Sequence, residues 1–399
     1  MSRLAVKGSA KTTQTHAPDG ITILGVQFES IKALFEPLIG LVDVNFIHVN
    51  DWLNELRFRY RSNAFVQVAP LTDADWLEWR LPPGWTNRLA PWVMPMLARR
   101  IQRIWRDRGW DSPRLVVTFP YYVPLAREVP KERLIYYAVD NYQAYWPDRS
   151  TKLLAQEDKL IDAACATVAA SSELATWFRT RVPTAAAKIH YVPNGVRPDM
   201  VAPFEDIKSG PLTLTDDLAR RFGGASGPVV GCYGHIGPGY GIEFLAAVVK
   251  RLPNFRFLLV GQVLLSDHEP FREAVAYLKQ CTNVVFTGPL QEPNSLNFLR
   301  QCDAMIIPLP LTAQIRYSCP NRLWTYLATA RPIVSTPIPE VTRLGELVYI
   351  AADVETFVDM LHRAVGEHDP QRVTKRFDIA KDHTWPVLAK QIWSIFSAA

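Results

Sequence analysis

The chain of 399 residues lacks the features that mark membrane-spanning, secreted and disordered proteins. No apolar run approaches the roughly 18 residues of a transmembrane helix. Residues 1–19 are polar and basic without an apolar core, which predicts a flexible tail rather than a signal peptide. With 48% apolar and 21% charged residues, the composition is that of a globular protein, and its length predicts about two domains.

Metal-ligand patterns are also missing. The five cysteines are odd in number and widely spaced, and the histidines form no HxH or HxxxH pair. This distribution predicts reduced cysteines in the core of a cytosolic protein. The sequence therefore predicts no metal site and no cofactor. The cysteines are Cys165, Cys232, Cys281, Cys302 and Cys319.

Strand-like runs alternate with helical patterns along almost the whole chain, which is typical of parallel sheets covered by helices on both faces. A stretch rich in Gly, Pro, Ser and Asp at residues 194–227 separates two such series. We therefore predict an α/β protein with two Rossmann-like domains at 20–200 and 201–380, whose facing sheets form a cleft. A helix at 381–399 is predicted to pack back on the first domain. The predicted strands are 21–26, 42–48, 115–119, 134–139, 166–170 and 189–192, then 229–233, 256–260, 284–287, 304–308, 332–335 and 348–350.

The segment from Asp303 to Glu340 predicts a strand, a helix and another strand. Pro320 is at the helix start, and Arg322 lies in the first turn beside free backbone donors. This arrangement suits an anion such as a phosphate. An ordinary strand-helix-strand unit with a solvated arginine is the alternative.

A glycine-rich turn, GCYGHIGPGYG, opens the second domain at residues 231–241. Glycines allow a ligand to approach the backbone, whose N–H groups then meet phosphate. The turn lacks the dinucleotide GxGxxG pattern with an acidic residue about 20 positions later, which argues against NAD. A tight turn without a ligand is the alternative.

Six short pieces occur in a set order: VPNGV, GCYGHI, FLLVG, NVVFTG, CDAMIIP and PNRLWTYLATARPIVSTPIPE. In this series the chain resembles the nucleotide-sugar glycosyltransferases of the GT-B fold, well over residues 134–366 and weakly before them. The resemblance implies that Arg322 stands where the family has a lysine at the donor diphosphate. It also implies donor contacts from Gly234, His235, Ile236, Gly237, Gly288, Leu290, Ser318 and Asn321.

One position departs from the family. Many retaining members carry a glutamate where this chain has Thr325, paired with another eight residues earlier, where this chain has Tyr317. The ribose contact and a retaining mechanism are therefore in doubt.

RLIYYAVDNYQAYW, residues 133–146, is an apolar strand that ends near Asp140. Strand ends carry the catalytic groups in this architecture. The segment is similar to one in the xanthan glucuronosyltransferase group, which implies Asp140 as the base of an inverting transfer. A turn or helix cap is the alternative. Glu157, in the next predicted helix, is predicted to face solvent.

Residues 83–110 contain six arginines and one aspartate, so their net charge of +5 equals that of the chain. A helix here predicts one apolar face and one arginine face, with tryptophans at its margins. Such a helix suits an anionic membrane or a lipid-linked acceptor. A helix docked on the first sheet with its arginines in water is the alternative. Nucleic acid is not predicted, because no binding motif accompanies the charge. The candidate surface is Trp92, Arg99, Arg100, Arg103, Trp105 and Arg106.

Together these patterns predict a metal-independent glycosyltransferase in the cytoplasm, peripheral to the inner membrane face. It would move a sugar from a nucleoside diphosphate sugar, with UDP favoured, to a saccharide or lipid-linked saccharide. Two alternatives stay open: a UDP-sugar epimerase, and a non-catalytic partner with this fold that binds a glycosyltransferase or a glycan.

Overall fold

The computed structural model describes residues 20–26, 28–51, 75–81, 86, 88–201, 213–290 and 294–399. The predicted tail at residues 1–19 lies outside this range. So does Trp85, which precedes the basic helix.

The strands of the described residues form two parallel sheets. The first contains β1 (Gly20–Leu24), β2 (Asp43–Asp51), β3 (Asp75–Leu81), β4 (Arg114–Val117), β5 (Leu134–Ala138), β6 (Ala166–Ala169) and β7 (Ile189–Tyr191). The second contains β8 (Val229–Tyr233), β9 (Arg256–Val260), β10 (Val284–Gly288), β11 (Ala304–Ile307), β12 (Ile333–Ser335) and β13 (Tyr349–Ile350). Their orders are β3-β2-β1-β4-β5-β6-β7 and β10-β9-β8-β11-β12-β13. The predicted α/β class with two Rossmann-like sheets is confirmed.

Helices connect the strands and cover the sheets. Those of the first half are α1 (Glu29–Phe35), α2 (Ala90–Asp107), α3 (Tyr142–Tyr145), α4 (Ser150–Ala163) and α5 (Ser172–Arg181). The next are α6 (Asp216–Arg221), α7 (Ile242–Arg251), α8 (Glu269–Gln280), α9 (Asn294–Leu299) and α10 (Ala313–Arg316). The last are α11 (Asn321–Thr329), α12 (Pro339–Thr342), α13 (Val354–Val365), α14 (Pro370–Asp382) and α15 (Trp385–Ala398). Short 3₁₀ turns join them at Glu36–Leu38, Pro120–Arg127, Lys131–Arg133, Pro147–Arg149, Pro183–Lys188, Pro198–Met200 and Gly345–Leu347.

Strand β3 was not predicted from the sequence. Its residues, DWLEWRL, carry three charges and do not form an apolar run, yet they pair in parallel with β2 from Asn45↔Asp75 to Asp51↔Leu81. It is an edge strand of the first sheet in the described part of the chain. Edge position explains the polar sequence, because one side of the strand has no neighbour to bury it.

Helix α15 lies on the first sheet, although it follows the second sheet in sequence. Its buried residues share a core with Ile21 and Phe35, and the rings of Phe35 and Phe396 stack at 6.2 Å. At its start the chain pairs with the segment after β7: the Val196 N–H donates to the His383 carbonyl at 3.0 Å. We call the first sheet with its helices and α15 the first domain, and the second sheet with its helices the second domain. The predicted boundaries at residues 200 and 380 stay predictions.

Candidate active site

The glycine-rich turn follows β8 at the carboxyl edge of the second sheet. The Gly234 N–H donates to the Val260 carbonyl and the Ile236 N–H to the Gln262 carbonyl, each at 2.9 Å. Gly241 has φ +76°, and a Cβ there would lie 1.8 Å from the Pro308 carbonyl oxygen. The turn is thus held at the end of β9 by backbone hydrogen bonds, and it approaches the end of β11 at Gly241 more closely than a Cβ would allow.

Arg322 lies over this turn. A Cβ on Gly234 would be 2.9 Å from Arg322 Nη2, and Arg322 Nη1 is 3.8 Å from Cys232 Sγ. The helix N-cap is Pro320, so Arg322 is in the first turn of α11 as predicted. The fold therefore brings together the glycine turn and the helix start, which lie almost ninety residues apart in sequence.

His235 belongs to the glycine-rich turn and lies close to Arg322 of α11. Burial and the nearby guanidinium lower the pKa of its imidazole. Its Nδ1 is buried, with no hydrogen-bond partner among the described residues. A neutral imidazole with a spare polar atom is suited to hydrogen-bond a ligand in the turn.

The other residues of the predicted donor site differ in their burial and in their contacts. Ile236 is buried in the core, so only its backbone faces the turn. Gly237 packs against Leu264, and the Gly288 carbonyl accepts the Gly261 N–H at 3.0 Å. Leu290 is half-buried and packs on the second domain's core.

Three residues of the predicted site surround the start of α11. Ser318 Oγ donates to the Ile315 carbonyl at 2.9 Å, and Asn321 is exposed. Thr325 is only 6% exposed. Tyr317, the other position that departs from the family, stacks on Trp177 of the first domain with ring centroids 4.7 Å apart. At Tyr317 the chain therefore has an interdomain contact.

Asp140 follows β5 at the carboxyl edge of the first sheet. Its Oδ1 accepts the Asn141 N–H at 2.8 Å, and its Oδ2 accepts the Tyr145 hydroxyl at 2.5 Å. Burial raises the pKa of the carboxyl to about 6, although both hydrogen bonds act to lower it. Asn141 Nδ2 is 3.5 Å from the Ala313 carbonyl in the second domain, so Asp140 lies at the junction between the two domains.

Glu157 does not face solvent, so that prediction was wrong. The residue is 1% exposed, and its carboxylate accepts from the Tyr136 hydroxyl at 2.8 Å and pairs with Arg181 at 2.9 Å. It also accepts from Gln143 Nε2 at 3.2 Å. Because Gln143 belongs to α3, Glu157 holds the short helix that follows Asp140 against α4.

From the sequence, Tyr142, Tyr145 and Trp146 were predicted as an aromatic surface next to Asp140, but Phe28, Phe119 and Tyr121, whose rings continue the row, were missed. The ring of Phe119 stacks with Phe28 at 6.1 Å and with Tyr121 at 5.1 Å, and it contacts Tyr142 at 4.6 Å. Phe28 and Phe119 each come shortly after a strand, and this position was the available signal. Phe119 and Tyr142 are buried, so the aromatic surface at this edge comes from the partly buried Phe28 and Tyr121 and from the exposed Tyr145 and Trp146.

Glu340 joins the domains at the other end of the segment that began at Asp303. This carboxylate is 4% exposed and accepts from the Ser172 N–H at 2.9 Å and the Ser172 hydroxyl at 3.0 Å. Tyr191 also donates to it. A buried carboxylate at the start of α5 is favoured by that helix's positive end.

The arginine face of α2 is exposed as predicted, with Arg99, Arg100, Arg103 and Arg106 all in contact with solvent. Trp92 is 72% exposed at the start of the helix. Trp105, however, is buried, and its Nε1 donates to Thr22 Oγ1 at 2.9 Å. Its place on the predicted surface was wrong, because the indole anchors α2 to the sheet. Met94 is buried as well.

A groove with a volume of about 560 Å³ runs beside this face. Its lining includes three arginines and one aspartate, so its surface is basic. Arg103 Nε is 3.6 Å from Asp107, and the Arg100 guanidinium lies over the Trp79 ring at 4.4 Å. The lining residues are Leu77, Arg99, Arg100, Arg103, Ile104 and Asp107.

Residues 227–367 match the family model described as Glycosyl transferases group 1. They contain the glycine turn and the start of α11. The second domain is a group 1 glycosyl transferase domain. TuaH of Bacillus subtilis (strain 168), whose name describes a glycosyltransferase of teichuronic acid biosynthesis, is 24% identical over 289 residues, 69% of each chain.

Solved glycosyltransferase structures have the same two-domain fold. Anabaena Alr3699/HepE, solved with UDP and glucose, superposes with a TM-score of 0.63 at 13% identity, covering 96% of this chain and 100% of that chain. Sucrose-phosphate synthase from Thermosynechococcus elongatus superposes with a TM-score of 0.66 at 13% identity, covering 95% and 98%. This glycosyltransferase therefore has the GT-B fold. No helix in its described part is long and apolar enough to cross a membrane.

Proposed function

We propose that this glycosyltransferase moves a sugar from a UDP-sugar to a saccharide or lipid-linked saccharide, with inversion at the anomeric carbon. The observation that carries the proposal is the position of the Arg322 guanidinium over the Gly234 turn. The Anabaena structure contains UDP, and a trehalose-6-phosphate protein from E. coli was solved with UDP-2-fluoro glucose. Their shared fold supports UDP as the nucleotide here.

The donor diphosphate would bind between the glycine turn and the start of α11. Arg322 offers a bidentate, permanently charged group, and the helix start adds free N–H donors. Both stabilise the negative charge that grows on the departing diphosphate, so the proposed mechanism needs no metal. The spare Nδ1 of His235 supports a further hydrogen bond to the donor.

Asp140 would act as the general base. It would take the proton from an acceptor hydroxyl as that oxygen attacks the anomeric carbon, while the bond to the diphosphate oxygen breaks and UDP leaves. The raised pKa of about 6 supports this role, because the group is mostly ionised at neutral pH yet is basic enough to accept a proton. The aromatic surface beside Asp140 supports a saccharide acceptor.

The basic face of α2 supports an acceptor at an anionic membrane. The helix precedes β4 in a parallel sheet, so its first turn, with the exposed Trp92, lies toward the same carboxyl edge as Asp140. An interfacial tryptophan and the exposed arginines would hold that edge against lipid headgroups.

The catalytic proposal is tested with Asp140→Asn and, as a control, Asp148→Asn on the exposed turn that follows α3. Asp140→Asn should lower turnover at least about a thousandfold with UDP-sugar affinity unchanged, because only the base is lost. The control should match the parent enzyme. Anomeric NMR of the product reports the stereochemistry, and a reaction without acceptor tests for epimerisation. Retained turnover in Asp140→Asn, or a retained anomeric configuration, would remove Asp140 from the mechanism.

The membrane proposal is tested by sedimentation with vesicles that contain an anionic phospholipid. One variant replaces Arg99, Arg100, Arg103 and Arg106 with Gln. Its control replaces four arginines exposed elsewhere, Arg220, Arg221, Arg251 and Arg272, and so removes the same charge. Only the α2 variant should lose binding at low salt. Equal loss in both variants would mean that net charge, and not this helix, attracts the protein.

A further inference from the structure

Tyr145 is placed to act on Asp140 more directly than any other side chain described. Its hydroxyl donates to Asp140 Oδ2 at 2.5 Å while the Asn141 N–H donates to Oδ1 at 2.8 Å, so both carboxylate oxygens have a donor. Tyr145 ends α3, whose start is capped by the Asn141 side chain. One turn of helix therefore fixes the carboxylate, its cap and the phenol together.

The second domain also contacts this phenol. Burial and Asp140 raise the pKa of the Tyr145 hydroxyl, and two side chains of the second domain also act on it: Gln314 of α10 lowers it and Tyr240 of the glycine-rich turn raises it. Tyr145 is 39% exposed, so it is not part of the core. The hydroxyl thus lies between the proposed base and the domain that holds the proposed donor.

We propose that Tyr145 is a positioning residue that orients Asp140 and keeps its carboxylate ionised when the two domains are together. The inference rests on the proposed function, because it requires Asp140 to be the base. A hydrogen bond from a neutral phenol stabilises a carboxylate more than a carboxylic acid. Fixing Oδ2 in this way leaves the remaining lone pairs of the carboxylate for the acceptor hydroxyl. Tyr145 keeps its own proton throughout the transfer.

The groups around Asp140 allow the pH dependence of activity to be assigned to this carboxyl. The titratable groups that interact with it are the phenols of Tyr142 and Tyr145, and burial raises the pKa of both. Neither changes charge near neutral pH. The pKa of His235, in the second domain, is lowered by burial and by Arg322, and His235 is unaltered in every variant compared below, so differences between variants report on Asp140.

The test is the pH profile of kcat/KM for the acceptor in Tyr145→Phe, measured from pH 5 to pH 9 at saturating donor. Activity needs ionised Asp140, so the rate rises through its pKa. Loss of the hydroxyl removes an interaction that lowers this pKa, so the acid limb should move to higher pH. We expect roughly a tenfold loss near pH 6, a much smaller loss near pH 8.5 and an unchanged KM for the donor.

Tyr142→Phe is the matched control. It removes a hydroxyl from the same short helix, one that donates to the Thr118 carbonyl at 2.7 Å. Its acid limb should stay in place. Gln314→Leu should move the limb in the same direction as Tyr145→Phe, by a smaller amount, because it removes a neighbour that lowers the pKa of the phenol and so makes the phenol a weaker donor to Asp140.

The outcomes separate the two proposals. If Asp140→Asn is inactive and Tyr145→Phe loses the same fraction of activity at every pH, Tyr145 is only structural and the inference fails. An unshifted profile has the same meaning. If Asp140→Asn turns over normally, the proposed base fails, and the role of Tyr145 fails with it.

Discussion

The two sides of the cleft are built in different ways. In the second domain, the candidate site comes from two short stretches, residues 234–241 and 303–340, and much of it is backbone: glycines at φ values open to few other residues, and the start of α11. In the first domain, the candidate site is made of side chains from several elements. Asp140 depends on Tyr145, and α3 depends on Glu157, which in turn depends on Arg181.

This difference separates the kinds of change that each side tolerates. A backbone site is sensitive to any Cβ that blocks a close approach, whereas most of its side chains contribute little. A site made of linked side chains is sensitive to the loss of one partner, because each buried polar group needs the next one. Three predictions test this contrast.

The largest effect is expected at Gly241. Gly241→Ala and Gly239→Ala are matched, since φ is +76° and +78°, but only at Gly241 would the new Cβ meet the Pro308 carbonyl oxygen. Both variants bear about 1 kcal/mol of left-handed strain, and Gly241→Ala should lose about 3 kcal/mol more from the clash. Urea unfolding measures the stability of each variant, and calorimetry measures its binding of UDP. Equal costs in the two variants would show that the close approach to Pro308 is unimportant.

A smaller cost is expected when the support under Asp140 is broken. Arg181→Leu leaves Glu157 buried without its cation, which should lower the free energy of unfolding by about 3 kcal/mol near pH 8. Burial already raises the pKa of Glu157 and Arg181 opposes this, so the variant raises it further. When a group's pKa is higher in the folded than in the unfolded protein, the free energy of unfolding decreases as pH increases through the folded-state pKa. The variant should therefore be less impaired at pH 5 than at pH 8.

The double variant Glu157→Gln with Arg181→Leu is the control for that pH dependence. The double variant has no ionisable group at position 157. The difference in its free energy of unfolding from that of the parent should therefore depend much less on pH than in Arg181→Leu. If Arg181→Leu costs the same at both pH values, the carboxylate of Glu157 is not the group that senses the change.

The smallest effect is expected from Arg322, because the backbone of the turn would remain. Arg322→Ala should weaken UDP binding about thirtyfold, or about 2 kcal/mol, since a charge-assisted hydrogen bond is lost. Arg322→Lys should retain part of the affinity, as the charge remains without the bidentate geometry. Arg220→Ala, at an exposed arginine of α6, should leave binding unchanged. Calorimetry that finds Arg322→Ala equal to the parent would place the diphosphate elsewhere.

The sequence predicted most of the fold because its strands are buried on both faces. Apolar runs such as 229–233 and 256–260 match β8 and β9 in both bounds. β3 was not predicted, because an edge strand can contain charged residues and so need not form an apolar run. The conspicuous local patterns, the glycines and the Pro320 helix start, were also visible, since they depend on neighbours in sequence.

What the sequence did not reveal depends on neighbours in space. A glutamate in a polar helix has no local sign that Tyr136, Gln143 and Arg181 will surround it, so Glu157 was misplaced. Trp105 shares the apolar face of α2 with Leu97 and Ile101, but the sequence does not show that this face packs on the sheet, where the Trp105 indole donates to Thr22. The aromatic row around Phe119 is assembled from the ends of separate strands, so no single motif contains it.

Helix α15 has a consequence for the order in which the protein is made. Its apolar face completes the core that contains Ile21 and Phe35, yet the ribosome produces it only after the whole second domain. One face of the nascent first sheet therefore remains incompletely covered while some 190 residues are added between β7 and α15. Chaperone demand during synthesis should consequently fall on the first domain, whose final piece arrives last.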